Sequence, residues 1–346
     1  MELQHQGQER ASWIENRTVF SYAWMTYNGV KPDVSAWGEA IDRWKHERHH
    51  LLWHLRRWFP GIGNYNSPKQ VGEGISKFTG YPLPNTKKTT LQQLATAYPE
   101  IAAVLQERQY ETYLKNWGDL KGGRRSSGFL DTYLCKICLR IHPNWIQIGT
   151  ETARTACRAP NLQQIPRASE FRKLFVAAEG FLLASLDYSA IEVLVAGVQA
   201  QDRNLLRACS TGDPHSWLAS QIVGREIDKK NPYDANIRQM AKIAHFGLLF
   251  AGGKDGLIIQ AGICSASISP ESEATKLMQI FFSTYAKLRI TRSQAYDAMK
   301  RPERRLELTN AIGFRRYLEG FNRKPTTWLN TWIQSTAGYG LKSSFP

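Results

Sequence analysis

Between Asn236 and Phe250 a helical pattern carries Arg238, Lys242, Phe246 and Phe250 at steps of four residues, and Ala251-Gly252-Gly253 closes it. Each step of four turns only ~40° beyond a full helical turn, so the set keeps to one face over ~18 Å. Two cations followed by two rings suit a nucleotide: the cations hold phosphates, and the rings meet the sugar and base. Taken alone, the same residues also fit an ordinary amphipathic helix whose rings are core and whose cations are solvated.

Charge gives that face a context. The chain of 346 residues has 45 Lys+Arg against 30 Asp+Glu, a formal charge of +15. That excess points to an acidic partner, either nucleic acid or an anionic membrane surface. No stretch approaches the ~20 apolar residues of a membrane span, and the polar start MELQHQGQERASW is not a secretory signal. Five cysteines (Cys135, Cys138, Cys157, Cys209, Cys264) are few and odd in number, unlike a disulfide framework. A reduced, cytoplasmic protein is the expectation. Domains of ~100–200 residues make this length two or three lobes.

Val34 to Trp58 predicts a long amphipathic helix, with Trp37, Ile41, Trp44, Leu51 and Leu55 at helical spacing. Arg48 interrupts that stripe, which calls for a wet or paired patch. Gly61 to Pro68 ends the helix, and Gly118 to Gly128 is a second break, polar and basic. Thr89 to Trp117 reads as further helix between them. LLASLDYSAIEVLVAG starts at Leu182 as an apolar run of strand length and continues in helix-compatible residues. Leu306 to Phe321 predicts a hairpin turning near Gly313, and Pro325 to Lys342 a final helix. Helices flanking a few short strands predict α+β rather than a regularly alternating parallel sheet.

Two further groups carry chemistry. Asp187, at the end of the apolar run, is followed by Tyr188 and Ser189; a carboxylate beside an exposed carbonyl is a hard-oxygen ligand pair suited to Mg²⁺. By itself an Asp closing a strand is more often a turn or cap residue. Cys135-Lys136-Ile137-Cys138, with His142 just beyond, suggests zinc, but no second pair lies nearby at ligand spacing. Ordinary buried cysteines are the expectation there. Basic pairs at Lys87-Lys88, Arg124-Arg125, Arg304-Arg305 and Arg315-Arg316 would suit a phosphate backbone or a solvated face equally.

In order along nearly the whole chain, several segments resemble family A DNA polymerases, the DNA polymerase I type. They are Tyr27-Asn28-Gly29-Val30 with Asp33, Asn64 to Gln70, Ile141-His142-Pro143, Thr150 to Arg154 and Pro160 to Pro166. Asp187 to Glu192 resembles motif A of that family, Arg238 to Gly253 resembles motif B, and Asp213-Pro214-His215 falls between them where the family has a similar histidine. The resemblance implies a right-hand architecture, with helical thumb and fingers and an antiparallel palm sheet. It divides the chain into an N-terminal helical segment (1–60), thumb (61–150), first part of the palm (151–205), fingers (206–305) and a palm return segment (306–346).

The resemblance also implies template-directed DNA synthesis from dNTPs on a primer–template, with Mg²⁺. Asp187 and the Tyr188 carbonyl become metal ligands. Arg238, Lys242 and His215 hold the triphosphate, with Lys242 a candidate proton donor. Phe246 and Phe250 lie by the nucleotide, and Glu192 crowds a ribose 2′-hydroxyl. Arg154, Asn330 and Gln334 touch the duplex. Departures from the family pattern include Phe250 for tyrosine, Ala190 for glutamine, Leu194 for arginine, Ala153 and Ala251 for glycine, and Ser335 where glycine follows the glutamine.

Motif C of the family, a His-Asp-Glu hairpin roughly thirty residues beyond the glutamine, has no counterpart, since twelve residues follow Gln334. The expectation is a palm incomplete at the C-terminus and a second polypeptide supplying motif C. A catalytically inactive DNA-binding remnant is the alternative. In either case the setting expected is nucleoid-associated, or phage or plasmid replication.

Overall fold

The computed structural model describes residues 7–121, 124–125, 128–261 and 270–345. Cys264 lies outside them. The chain divides into two units: Thr26–Asn144 with Ala159–Leu183, and Met1–Met25 with Trp145–Arg158 and Ala184–Pro346.

The first of these units is built on the helix Val34–Trp58, whose start is set by Asp33 accepting from the Ala36 N–H at 3.0 Å. The predicted stripe buries Trp37, Trp44 and Leu55, while Ile41 and Leu51 pack at its margin. Trp37 stacks on Phe129 with centroids 5.1 Å apart, Trp44 on Phe171 at 4.8 Å, and the Trp37 indole N–H donates to the Trp117 carbonyl. These rings give one core, and Leu55, Val71, Ile75, Leu91, Ile101 and Val104 a second.

Arg48, the residue that broke the stripe, is paired: its Nη2 donates to Glu107 at 2.7 Å. Glu107 is almost fully buried, so burial raises its pKa above the carboxylate norm, against the lowering pull of Arg48. The helix expected over Thr89–Trp117 is instead two, Lys88–Leu94 and Glu100–Asn116. Pro99 accounts for the interruption, having no N–H to donate and disfavouring helix at the residue before it. The basic break holds a minimal antiparallel pair, Leu120–Lys121 with Arg124–Arg125.

The second unit centres on the helix Pro232–Leu249. It begins four residues ahead of the predicted start because Asn231 caps it and Pro232 occupies its first turn. Its inner face (Ala241, Ala244, Leu248) packs with Val193, Leu205, Leu218, Phe281 and Tyr285 from neighbouring helices. Asp202 ties two of these together. Its carboxylate accepts from Asn204 and Leu205 at the start of Arg203–Ser210, and from Lys287 and Leu288 at the start of Ala286–Met299.

The hairpin forms as read, Leu306–Thr309 against Arg315–Leu318. Gly313 sits at φ +87°, and the Asn310 side chain accepts the Ile312 and Phe314 N–H groups across the turn. The last helix, Pro325–Ser343, buries Leu329, Ile333, Ala337 and Tyr339.

One strand reading fails. Leu182–Leu186 is not a strand; Leu182 and Leu186 are each 95% exposed. A strand exists only where a neighbour takes up its N–H and C=O groups, and no described residue pairs with this run. The sheets among the described residues are two-stranded, and the secondary structure is mainly helical. No described helix is long and apolar enough to cross a membrane.

Candidate nucleotide and DNA site

The residues expected to hold metal, nucleotide or duplex all lie in the second unit. Helical spacing in Pro232–Leu249 sets Arg238, Lys242 and Phe246 on the side away from Ala241, Ala244 and Leu248, with Phe250 as the C-terminal cap residue. Asp213 takes hold of Arg238. The guanidinium donates to it through Nε at 2.9 Å and Nη2 at 3.2 Å, and Nε also donates to Ser216 Oγ at 3.1 Å.

Lys229 adds a second cation on Asp213 at 2.8 Å. Partial burial raises the Asp213 pKa, but bonds from Arg238, Lys229 and Ser216 outweigh it and hold the carboxyl well below the usual range. Asp213 also caps the helix Pro214–Val223 by accepting from the Ser216 N–H. It thus orients Arg238 while leaving Nη1 uncommitted to it. Lys242, half-buried, makes no hydrogen bond or ion pair with described residues.

His215 is buried beneath this face, its ring 5.9 Å from Phe246. Its Nδ1 lies 3.1 Å from Nδ1 of His245, a residue the sequence reading did not single out. His245 Nδ1 also lies 3.2 Å from the Ala241 carbonyl, and its Nε2 lies 3.2 Å from the Tyr285 hydroxyl. A carbonyl only accepts, so His245 carries its proton on Nδ1, and Tyr285 donates to Nε2. His215 Nδ1 is then an acceptor and its proton sits on Nε2.

Burial, with the nearby Arg238 and Lys242 cations, lowers the His215 pKa to about 4 against the opposing pull of Asp213. Near neutral pH it is therefore a neutral N–H donor rather than a third cation. The one sequence signal for His245 was its place on the apolar face, beside Ala241, Ala244 and Leu248.

Phe250, Asn330 and Gln334 line one cavity of about 580 Å³, with Thr152, Glu151 and Arg316. Asn330 Oδ1 is buried there without a hydrogen-bond partner among the described residues. Arg316 pairs with Glu151, and Arg315 with Glu307 at 3.2 Å, so this basic pair is engaged inside the protein. Arg154, expected on the duplex, pairs with Glu192, expected at the ribose. Ala153 and Ala251, at positions where the resemblance has glycine, adopt φ of +57° and +59°. Asp187 is exposed on the unpaired run, and its carboxylate has no partner among the described residues.

The chain is similar to known proteins over most of its length. The chain is 30% identical over 287 residues to DNA polymerase I of Treponema pallidum (strain Nichols), covering 79% of this chain and 27% of that protein. It is 30% identical over 306 residues to DNA polymerase I of Lactococcus lactis subsp. cremoris (strain MG1363), covering 81% and 32%. Against the thermostable DNA polymerase I of Thermus aquaticus it is 28% identical over 342 residues, covering 90% and 37%. The chain thus spans about a third of the length of these relatives.

Its fold matches the solved POL domain of Pol1 from M. smegmatis, in complex with DNA primer-template and dNTP. The TM-score is 0.75 at 23% identity, over 95% of this chain and 58% of that one. Residues 44–343 match the family description "DNA polymerase family A". By that match the chain belongs to DNA polymerase family A.

Proposed function

We propose that the chain takes part in template-directed DNA synthesis, the transfer of a deoxynucleotide to a primer 3′-hydroxyl. The observation that carries this reading is the helix Pro232–Leu249, which presents an oriented arginine, an unpaired lysine and a ring in succession. In this reading Arg238, held by Asp213, and Lys242 take the triphosphate, and Lys242 protonates the leaving pyrophosphate. His215 donates from Nε2 as a neutral group. Phe246 and Phe250 bound the sugar and base, and Glu192 excludes a 2′-hydroxyl. The unpartnered Asn330 Oδ1 in the cavity beside Gln334 is an acceptor for donors in the duplex minor groove, and Arg154 contacts the same duplex. The division into thumb (61–150), palm (151–205 and 306–346) and fingers (206–305) belongs to the same proposal.

Mg²⁺ binds through one or two carboxylates plus substrate phosphates, and the exposed, unpartnered Asp187 carboxylate fits one such ligand, with the Tyr188 carbonyl as a second oxygen. When bound, the ion stabilises charge on the attacking and leaving oxygens. One carboxylate on an unpaired run falls short of a two-ion site. We therefore infer that a hairpin carrying the second carboxylate pairs with Leu182–Leu186 from outside these residues.

Primer extension tests this. The 346-residue chain alone should not extend a primer, and adding a polypeptide with a His-Asp-Glu hairpin should restore extension, abolished by Asp187→Asn. Extension by the chain alone would refute the need for the hairpin. Salt-dependent DNA binding with no incorporation under any complementation would refute catalysis and leave a DNA-binding remnant.

A further inference from the structure

The CxxC segment does not hold the ordinary buried cysteines that its isolation in the sequence predicted. Cys138 is exposed and Cys135 half-buried. The sulfur atoms of both and a ring nitrogen of His142 all lie within 4.8 Å of one another. The backbone folds them together. The Cys135 N–H donates to the Arg140 carbonyl at 2.8 Å, and the Leu139 N–H donates to the Cys135 carbonyl at 2.9 Å. Leu139 adopts a left-handed φ of +54° directly after Cys138, and Ile137 at the tip is 95% exposed. A leucine in left-handed backbone is uncommon and carries strain that its surroundings must hold in place.

His142 is prepared for a ligand. Its Nδ1 lies 3.1 Å from the Thr26 carbonyl, which only accepts, so the proton sits on Nδ1. That leaves the Nε2 lone pair aimed at Cys138 Sγ, 3.0 Å away. A carbonyl fixing the far ring nitrogen is the usual support of a metal-bound histidine. Tetrahedral zinc with S at ~2.3 Å and N at ~2.0–2.1 Å sets S···S near ~3.8 Å and S···N near ~3.6 Å. The Cys138–His142 contact would open by about half an ångström to reach this, and the other two separations lie within the 4.8 Å that bounds the group.

We propose that Cys135, Cys138 and His142 form a Zn²⁺ site, with water in the fourth position. Two thiolates and an imidazole are a soft donor set that selects zinc over Mg²⁺ or Ca²⁺. Each thiol releases its proton on binding. Among the described residues no further His, Cys, Asp or Glu joins the group, and the exposure of Cys138 leaves the fourth position to solvent. The site clamps the chain entering this unit. His142 and Arg140 hold the Thr26 and Asn28 carbonyls, and Val30 and Ile141 exchange backbone hydrogen bonds.

The test uses the full chain, reduced, stripped with a chelator and titrated with Co²⁺. A thiolate-to-cobalt absorption band should saturate at one equivalent and vanish on adding Zn²⁺. Cys138→Ser and His142→Ala should each weaken Co²⁺ binding by about 100-fold or more, while Cys157→Ser and Cys209→Ser leave it unchanged. No band, or a band that survives Cys138→Ser, would overturn the proposal. Alkylation of the wild type is independent of how any variant folds. Zn²⁺ should protect Cys135 and Cys138 and leave Cys209 unprotected, and equal labelling with and without zinc also overturns the site.

Discussion

His215 and His245 face each other at 3.1 Å within the core that supports the candidate nucleotide face. Burial lowers both pKa values; the neighbouring Arg238 and Lys242 add to this for His215, and His215 itself adds to it for His245. The sign follows directly. The folded values lie below ~6.5, so the unfolded chain takes up protons that the native state refuses. The stability these rings permit is complete above pH ~6.5 and is lost as the pH falls, at about 1.4 kcal/mol per pH unit for each ring.

Replacing His245 with Phe removes one of the two. At pH 8 the variant should be less stable by about 1–3 kcal/mol, because the Tyr285 hydroxyl and His215 Nδ1 lose their partner. By pH 5 the wild type has lost about 2 kcal/mol through His245 alone, so the two stability curves should converge and meet near there. Urea denaturation followed by circular dichroism from pH 8 to 5 measures the gap, and groups far from the pair cancel in the difference. A gap that stays constant across this range refutes the buried, neutral pair. It would also remove the argument that His215 meets phosphate as an uncharged donor.

Two further outcomes follow from the other unit. Arg48→Met strands the Glu107 carboxylate in the core; its cost at pH 7 is capped by the ~3–4 kcal/mol needed to protonate a glutamate there. Adding Glu107→Gln should recover most of that loss in urea unfolding, and a double variant as unstable as the single one would sink the pairing argument. Gly29 sits at φ +60°, where an added Cβ would lie 2.4 Å from the Ile141 carbonyl oxygen and 2.9 Å from His142 Nδ1. Gly29→Ala should therefore cost at least about 2 kcal/mol and weaken Co²⁺ binding at the cysteine pair. Unchanged stability would show that the crossing of these two segments is looser than the structure has it.

The helix from Val34, the helix bearing Arg238 to Phe250, the hairpin at Gly313 and the final helix were all readable from the chain. Each depends on periodicity, a cap or a turn residue within a few positions. The ordered motifs also placed the chain in its polymerase family. What periodicity could not supply was partnership. Arg48 reads as a flaw in its stripe until Glu107 arrives from another helix, and His245 reads as one more core position until His215 and Tyr285 meet it.

The same distinction explains the errors. Leu182–Leu186 has the composition of a strand but no described neighbour to complete its hydrogen bonds. Cys135 and Cys138 read as ordinary buried cysteines for want of a second pair, because the turn at Leu139 and the Thr26 carbonyl, which expose Cys138 and orient His142 towards it, leave no mark in spacing. Local sequence determines which backbone shape is favoured and which side chains share a face. Burial, protonation and ligand sets depend on groups far away in the chain, and only the tertiary structure decides which of those groups come within reach.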